Sequence, residues 1–200
     1  MTAGWRPVAA RAASLLLRYP DDDVLGALPL IRDALPELPG PVAEPLAAVA
    51  AHRCAGDPGR LRAAYVDQFD FRRRCSLHLT YYTCGDTRKR GEALADFAAV
   101  YRQAGLELVG GELPDHLPAV LDLAAADDSG WPLLIGNRVG LDLLAASLER
   151  DGSIYRQAVD AVRALLPEPA PTDRAAVARL ARTGPPAELV GLAPFTGGRL

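Results

Sequence analysis

The chain is short of the residues that staple small proteins together. Its 200 residues include three cysteines, Cys54, Cys75 and Cys84, an odd set without a C-x-x-C pair. A disulfide framework is therefore excluded, and a reducing cytosol is the fitting environment. Long apolar runs are missing too. No run reaches the roughly eighteen apolar residues that a membrane-spanning helix needs. The apolar run Leu15 to Leu17 near the N-terminus is too short for a signal peptide. These absences predict a soluble, cytoplasmic protein with no direct membrane insertion. Excess charge is also lacking: the net charge is -3 and the isoelectric point is near 5.6, which gives no overall electrostatic reason to approach nucleic acid or an anionic bilayer.

The common catalytic signatures are absent as well. There is no G-x-x-x-x-G-K-[ST], no G-x-G-x-x-G after a strand, no G-x-S-x-G and no H-E-x-x-H. Strand signals are confined to "HLTYYT", 78 to 83, which has no partner strand at hairpin spacing and reads as helix continuing from "AAYVDQFDF".

Half of the residues are hydrophobic, enough to bury one core. They recur at helical spacing: Val24, Leu28, Ile31, Leu35; Leu94, Phe97, Tyr101, Ala104; Leu141, Leu144, Leu148; Tyr155, Val159, Val162, Leu166. Gly- and Pro-rich breakers between them divide the chain into about eight or nine helices. With no internal repeat, the pattern predicts an all-α, single irregular helical bundle over residues 1–182. A Gly/Pro-rich, flexible tail follows at 183–200, partly docked through Leu189, Leu192 and Phe195. Asp57, Asp86 or Thr87, Ser153, and Thr172 or Asp173 are placed to cap helix starts.

Two polar constellations stand out. The first is "FDFRRRCSLHLTYYTCGDTRKRG", 69 to 91. A nucleic-acid reading takes Arg72, Arg73, Arg74, Arg88, Lys89 and Arg90 as phosphate contacts and Tyr81 and Tyr82 as stacking platforms, against which stands the acidic total. A metal reading places Cys75 and His78 on one helical face, with Cys84 and His116 as further ligands, but lacks a second local ligand pair. A structural reading gives Phe69, Phe71, Leu77, Leu79 and Tyr82 to the core and pairs the arginines with Asp67, Asp70 and Asp86.

The second is "GELPDHLPAVLDLAA", 111 to 125. Glu112, Asp115 and His116 have the composition of a carboxylate–imidazole acid/base unit. The same letters also describe a helix start, with Asp115 at or near the N-cap and Pro118 in the first turn. Leu117, Val120, Leu121 and Ala124 then form a buried stripe. Capping leaves His116 unexplained. Further on, Leu133 to Gly136 and Val139 to Leu141 offer apolar, small-residue surface suited to a groove for an amphipathic peptide.

"YVDQFDFRRRCSLHLTYYTCGDTRKRGEALADFAAVYRQAGLEL" followed by "ELPDHLPAVLDLAA" closely resembles the NarJ nitrate reductase molybdenum cofactor assembly chaperones, within the wider TorD/DmsD group of redox-enzyme maturation chaperones. The match is strongest from about Tyr65 to Ala126 and extends through 140 to 167. The resemblance implies a TorD-like helical chaperone without enzymatic activity or a cofactor of its own. Its partner would be the N-terminal segment of the apo catalytic subunit of a respiratory nitrate reductase, with the cofactor-insertion machinery as a further partner and no nucleic acid. Binding would support molybdenum cofactor insertion and delay membrane docking. Carried onto matching positions, the client-peptide site comprises Glu112, Asp115, His116, Leu117 and Pro118, with Tyr81, Tyr82, Asp86, Arg88 and Arg90 from the other signature segment. The family pattern does not require Cys75 or Cys84. Two alternatives stay open: a chaperone for another molybdoenzyme of the same class, and a metal-binding or acid/base enzyme centred on His116.

Overall fold

Small side chains decide what sits at the centre of the molecule. In a computed structural model that describes residues 4–108 and 110–187, helix α1 (Trp5–Leu17) buries Ala9, Ala10, Ala12 and Ala13. Such a face lets neighbouring backbones approach closely. α8 (Leu117–Ala126), α4 (Gly40–Ala55) and α11 (Tyr155–Ala164) all pack against α1, α8 most extensively. α11 also packs on α4 and on α10 (Arg138–Arg150), which α12 (Pro171–Thr183) covers. The remaining helices are α2 (Asp22–Gly26), α3 (Leu28–Ala34), α5 (Pro58–Phe69), α6 (Tyr81–Cys84), α7 (Arg88–Gln103) and α9 (Gly130–Gly136). The architecture is all-α, with one core that draws on most of these helices.

Twelve α-helices form among the described residues, more than the eight or nine expected. Breaks inside predicted helices account for the difference. α2 ends at Gly26 and α3 restarts with Pro29 in its first turn. α9 stops where Asn137 donates its side-chain amide to the Leu133 carbonyl at 2.9 Å, and α10 begins at the next residue. Asp57 caps α5 as expected, accepting from Arg60 N–H at 2.9 Å. Other caps differ. Thr87 precedes α7 but donates its hydroxyl to Cys84 O, Ser153 is displaced by Ile154, and Asp173 reaches back to Ala170 N–H so that α12 starts at Pro171.

The largest correction concerns residues 70–80. α5 ends at Phe69 and the chain does not continue as helix. After a 3-10 turn at Arg73–Cys75 it runs extended and pairs with residues beyond α7. Leu79 N–H donates to Asp115 O at 3.0 Å and Leu117 N–H to Leu77 O at 2.8 Å, around an antiparallel bridge between His78 and His116. The strand flavour holds only at the His78 bridge, whose partner lies too far along the chain to read as a hairpin, while Tyr81–Cys84 in the same region is helical as expected. Phe71, expected in the core, is 77% exposed. Arg72 pairs with Asp67 and Arg73 with Asp86 as expected, but Arg72 and Arg74 also converge on Asp151 at 3.1 and 2.6 Å, and no ion pair forms at Asp70 among the described residues.

The apolar surface expected around Leu133 to Leu141 is largely taken into the core, with Ile135 left 43% exposed. Leu134, Val139, Gly140 and Leu141 are buried. Gly140 lies against the 79–82 segment so closely that a Cβ would sit 2.9 Å from Leu79 O. Of the tail expected from 183, Thr183 belongs to α12 and Ala187 bridges in parallel to Asp86. Leu189, Leu192 and Phe195 lie outside the described residues. No helix among the described residues is long and apolar enough to cross a membrane.

Candidate functional site

The bridge between 77–79 and 115–117 brings the two polar constellations together. Asp115, fully buried, does not cap α8; His116 holds that position without a side-chain cap bond. The correction has a simple cause. With 115–117 paired to 77–79, the Asp115 side chain turns to the facing segment, where it accepts from Thr80 N–H (3.2 Å), Thr80 Oγ1–H (2.5 Å) and His78 Nδ1–H (3.0 Å). The Arg90 guanidinium stands 4.0 Å away. Burial opposes ionisation of Asp115, but the hydrogen bonds from His78 and Thr80 outweigh it and hold the carboxyl below the usual carboxylate range.

His116 lies on the other side of the bridge. Its Nδ1 is 3.0 Å from Glu112 Oε2, and its ring is 5.4 Å from that of His78. Burial draws the His116 imidazole below its ordinary value; Glu112 and Asp115 oppose this, and His78 and Arg18 add to it. The imidazole is therefore neutral at neutral pH.

Both histidines line a cavity of about 720 Å³. The α1–α2 junction contributes Arg18, Tyr19 and Asp21, and α5 with its C-cap contributes Tyr65 and Asp70. Tyr101 comes from α7, Leu106 to Leu108 from the following loop, and Ala119, Asp122, Leu123 and Ala126 from α8. Its walls are thus aromatic and aliphatic, with five carboxylates, Asp21, Asp70, Glu107, Glu112 and Asp122, against one arginine. Arg18 is itself paired with Asp122, which also receives Arg11. The α1 end of the wall is held in place by side chains. Arg53, 2% exposed, donates to the carbonyls of Leu15 and Arg18, and Tyr65 Oη–H donates to Leu17 O, so the C-terminal carbonyls of α1 are satisfied where the wall begins.

Of the ten residues expected to form the site, Glu112 and His116 line this cavity. Asp115 stands behind the two imidazoles. Leu117 and Pro118 are buried under α1, where the Pro118 carbonyl accepts from Ser14 Oγ–H at 2.9 Å. Tyr82 is buried, with its hydroxyl donating toward the Arg74 and Ser76 carbonyls, so it shapes the loop and presents no ring to solvent. Tyr81 is half-buried beside it. Asp86 and Arg88 are exposed, and Arg90 links Asp86 to Asp115. Sequence reading missed Tyr65, Tyr101, Asp122 and Arg18, whose signal is only tertiary: each sits on an ordinary amphipathic helix or just beyond its end.

The metal and nucleophile chemistries find little support. Cys75 and His78 do not share a helical face, and no three His, Cys, Asp or Glu side chains among the described residues converge to hold a metal ion. Burial pushes the Cys75 thiol up to about 11, with Asp151 adding to it, so it is not a thiolate at neutral pH.

Residues 35–130 match the nitrate reductase delta subunit family. The chain is 39% identical over 160 residues to the nitrate reductase-like protein NarX of Mycobacterium tuberculosis, covering 79% of this chain and 24% of NarX. It thus spans about a quarter of that relative's length. It is 30% identical over 164 residues to the nitrate reductase molybdenum cofactor assembly chaperone NarJ of Bacillus subtilis, covering 80% of this chain and 89% of that one. A crystal structure of a protein from Archaeoglobus fulgidus, assigned to redox enzyme maturation, shares the fold with a TM-score of 0.59 at 23% identity, over 79% of this chain and 91% of that chain. With 89% of the Bacillus subtilis NarJ chain matched in sequence at 30% identity, the chain belongs to the NarJ family of nitrate reductase molybdenum cofactor assembly chaperones.

Proposed function

We propose that the protein is an assembly chaperone that binds the N-terminal segment of the apo catalytic subunit of a nitrate reductase in the cavity beside His116. The molybdenum cofactor is then cargo of the client, and no cofactor is held by the chaperone. Occupying the client's N-terminus would keep the subunit open to cofactor insertion and delay its docking to a membrane partner. The insertion machinery would meet this complex at another surface.

The observation that carries this reading is the cavity's composition. Aromatic and aliphatic walls with a surplus of carboxylates suit an amphipathic helix whose apolar side chains enter while its basic ones meet the acidic residues. Glu112 and His116, taken from the signature stretch, stand in its wall, which links the family resemblance to a physical surface.

Isothermal titration with a synthetic peptide copying the N-terminal segment of the nitrate reductase catalytic subunit from the same genome tests the reading. Saturable binding in the micromolar range is expected, and no binding at tens of micromolar would contradict it. Preference for the corresponding peptide of a different molybdoenzyme would move the client, leaving the site in place.

A further inference from the structure

Tyr101 is 5% exposed, yet its hydroxyl has no hydrogen-bond partner among the described residues. It lies near the end of α7 and lines the cavity. Tyr65 and Tyr82 are buried alike, and both hydroxyls reach backbone carbonyls, at 2.8 Å from Leu17 O and 2.9 Å from Ser76 O. An unpaired buried hydroxyl is costly, and a phenylalanine would fill the same space without that cost. Packing alone gives no reason for the oxygen.

The surroundings indicate what it meets. Asp70 and Glu107 line the same cavity, and neither has an ion-pair partner among the described residues. Glu112 faces only His116, which is neutral at neutral pH. Arg18, the one arginine in the wall, is engaged by Asp122. Negative charge is therefore left uncompensated in the wall of the cavity that Tyr101 lines, and the phenol stays protonated: burial pushes its ionisation up, and Asp122 and Asp115 add to the effect. Such a phenol keeps lone pairs that can accept from a cation.

We propose that Tyr101 is the specificity-determining residue of the cavity, its phenolic oxygen accepting a hydrogen bond from the guanidinium or ammonium group of one arginine or lysine of the client peptide. The inference rests on the client-peptide reading above. It deepens that reading by naming the side-chain chemistry the cavity selects. An apolar client side chain would leave the Tyr101 oxygen unpaired, and a site built to form a hydrogen bond discriminates strongly against an analogue that lacks the group.

The test combines Tyr101→Phe with a set of synthetic client peptides in which each basic residue is replaced singly by norleucine, all titrated calorimetrically at one salt concentration. Tyr101→Phe is expected to weaken the parent peptide by about tenfold while the thermal melt stays unchanged or rises. For one norleucine peptide, the one missing the partnered cation, wild type and Tyr101→Phe should bind equally. Equal binding of the parent peptide to both proteins would overturn the proposal, as would the same loss for every peptide; either result leaves the client reading standing. If wild type binds none of the peptides, the client reading falls and Tyr101 loses its role with it.

Discussion

Asp115 and His78 meet through a 3.0 Å hydrogen bond across the backbone bridge that joins residues 77–79 to 115–117. The bond ties together the two signature stretches, which α7 separates in sequence. It also makes Asp115 an organiser of the cavity wall from behind, since His78 and His116 line the cavity and Asp115 does not.

Asp115→Ala should therefore act first on stability. It would leave Thr80 N–H, Thr80 Oγ1–H and His78 without their acceptor in a fully buried place, a loss of about 3 kcal/mol. Urea denaturation at neutral pH measures it. The folded carboxyl is held below its ordinary value of 3.8, so this contribution is present above that pH and is lost as pH falls below it toward the folded value. A variant as stable as wild type that merely binds client more weakly would mean that Asp115 is a contact residue after all.

His116→Ala should behave in the opposite way, because the ring is near the surface of the wall and its loss leaves the Asp115 hydrogen bonds intact. Client affinity should fall while the circular dichroism melt changes little. Affinity should also fall for wild type as pH drops below the ordinary imidazole value of 6.5, where protonation of His116 places a cation beside a basic client. His116→Gln should flatten that acid limb; titrations at several pH values, with His78→Gln as a parallel variant, separate the two rings.

A third prediction concerns Asp151, which draws Arg72 and Arg74 at 3.1 and 2.6 Å and Gln68 at 3.1 Å. The Arg74 pairing, with Gln68, Arg72 and Cys75 adding to it and burial opposing, holds its carboxyl well below the usual carboxylate range. Asp151→Asn should cost about 2 kcal/mol at neutral pH and raise hydrogen exchange in residues 70–77. The difference from wild type should persist through mild acid and shrink as pH falls below the ordinary value of 3.8 toward the folded value.

Gly85 provides a fourth. Its φ of 59° is in the left-handed region, and a Cβ there would lie 1.7 Å from the carbonyl oxygen of Pro186. Gly85→Ala should drive residues 184–187 off the 85–86 segment, seen as faster hydrogen exchange there, with the α1, α4, α8 and α11 core retained.

What the sequence made legible follows from the range of each signal. Helical periodicity is local, so the all-α bundle and most helix cores were readable from Val24 to Leu166. Asp57 as an N-cap and Pro118 in a first turn are also local, and both hold. Residues 77–79 pair with a segment beyond α7, and no window along the chain contains both, so of "HLTYYT" the helical part from Tyr81 was legible and the bridge at His78 was not. The cavity fails for the same reason. Glu112 and His116 were found because their letters are unusual, whereas Tyr65, Tyr101 and Asp122 occupy positions that any amphipathic helix could fill and become a wall only when α5, α7 and α8 are assembled.

The central claim is that the client's N-terminus occupies this cavity, and photo-cross-linking tests it most directly. Client peptides carrying a benzophenone side chain at successive positions, irradiated with the protein and mapped by mass spectrometry, should label the cavity wall at Tyr19, Tyr65, Tyr101, Leu106 and Ala126, with labelling suppressed by excess unmodified peptide. Competable labelling confined to α10 and α12, with none in the cavity wall, would contradict the account.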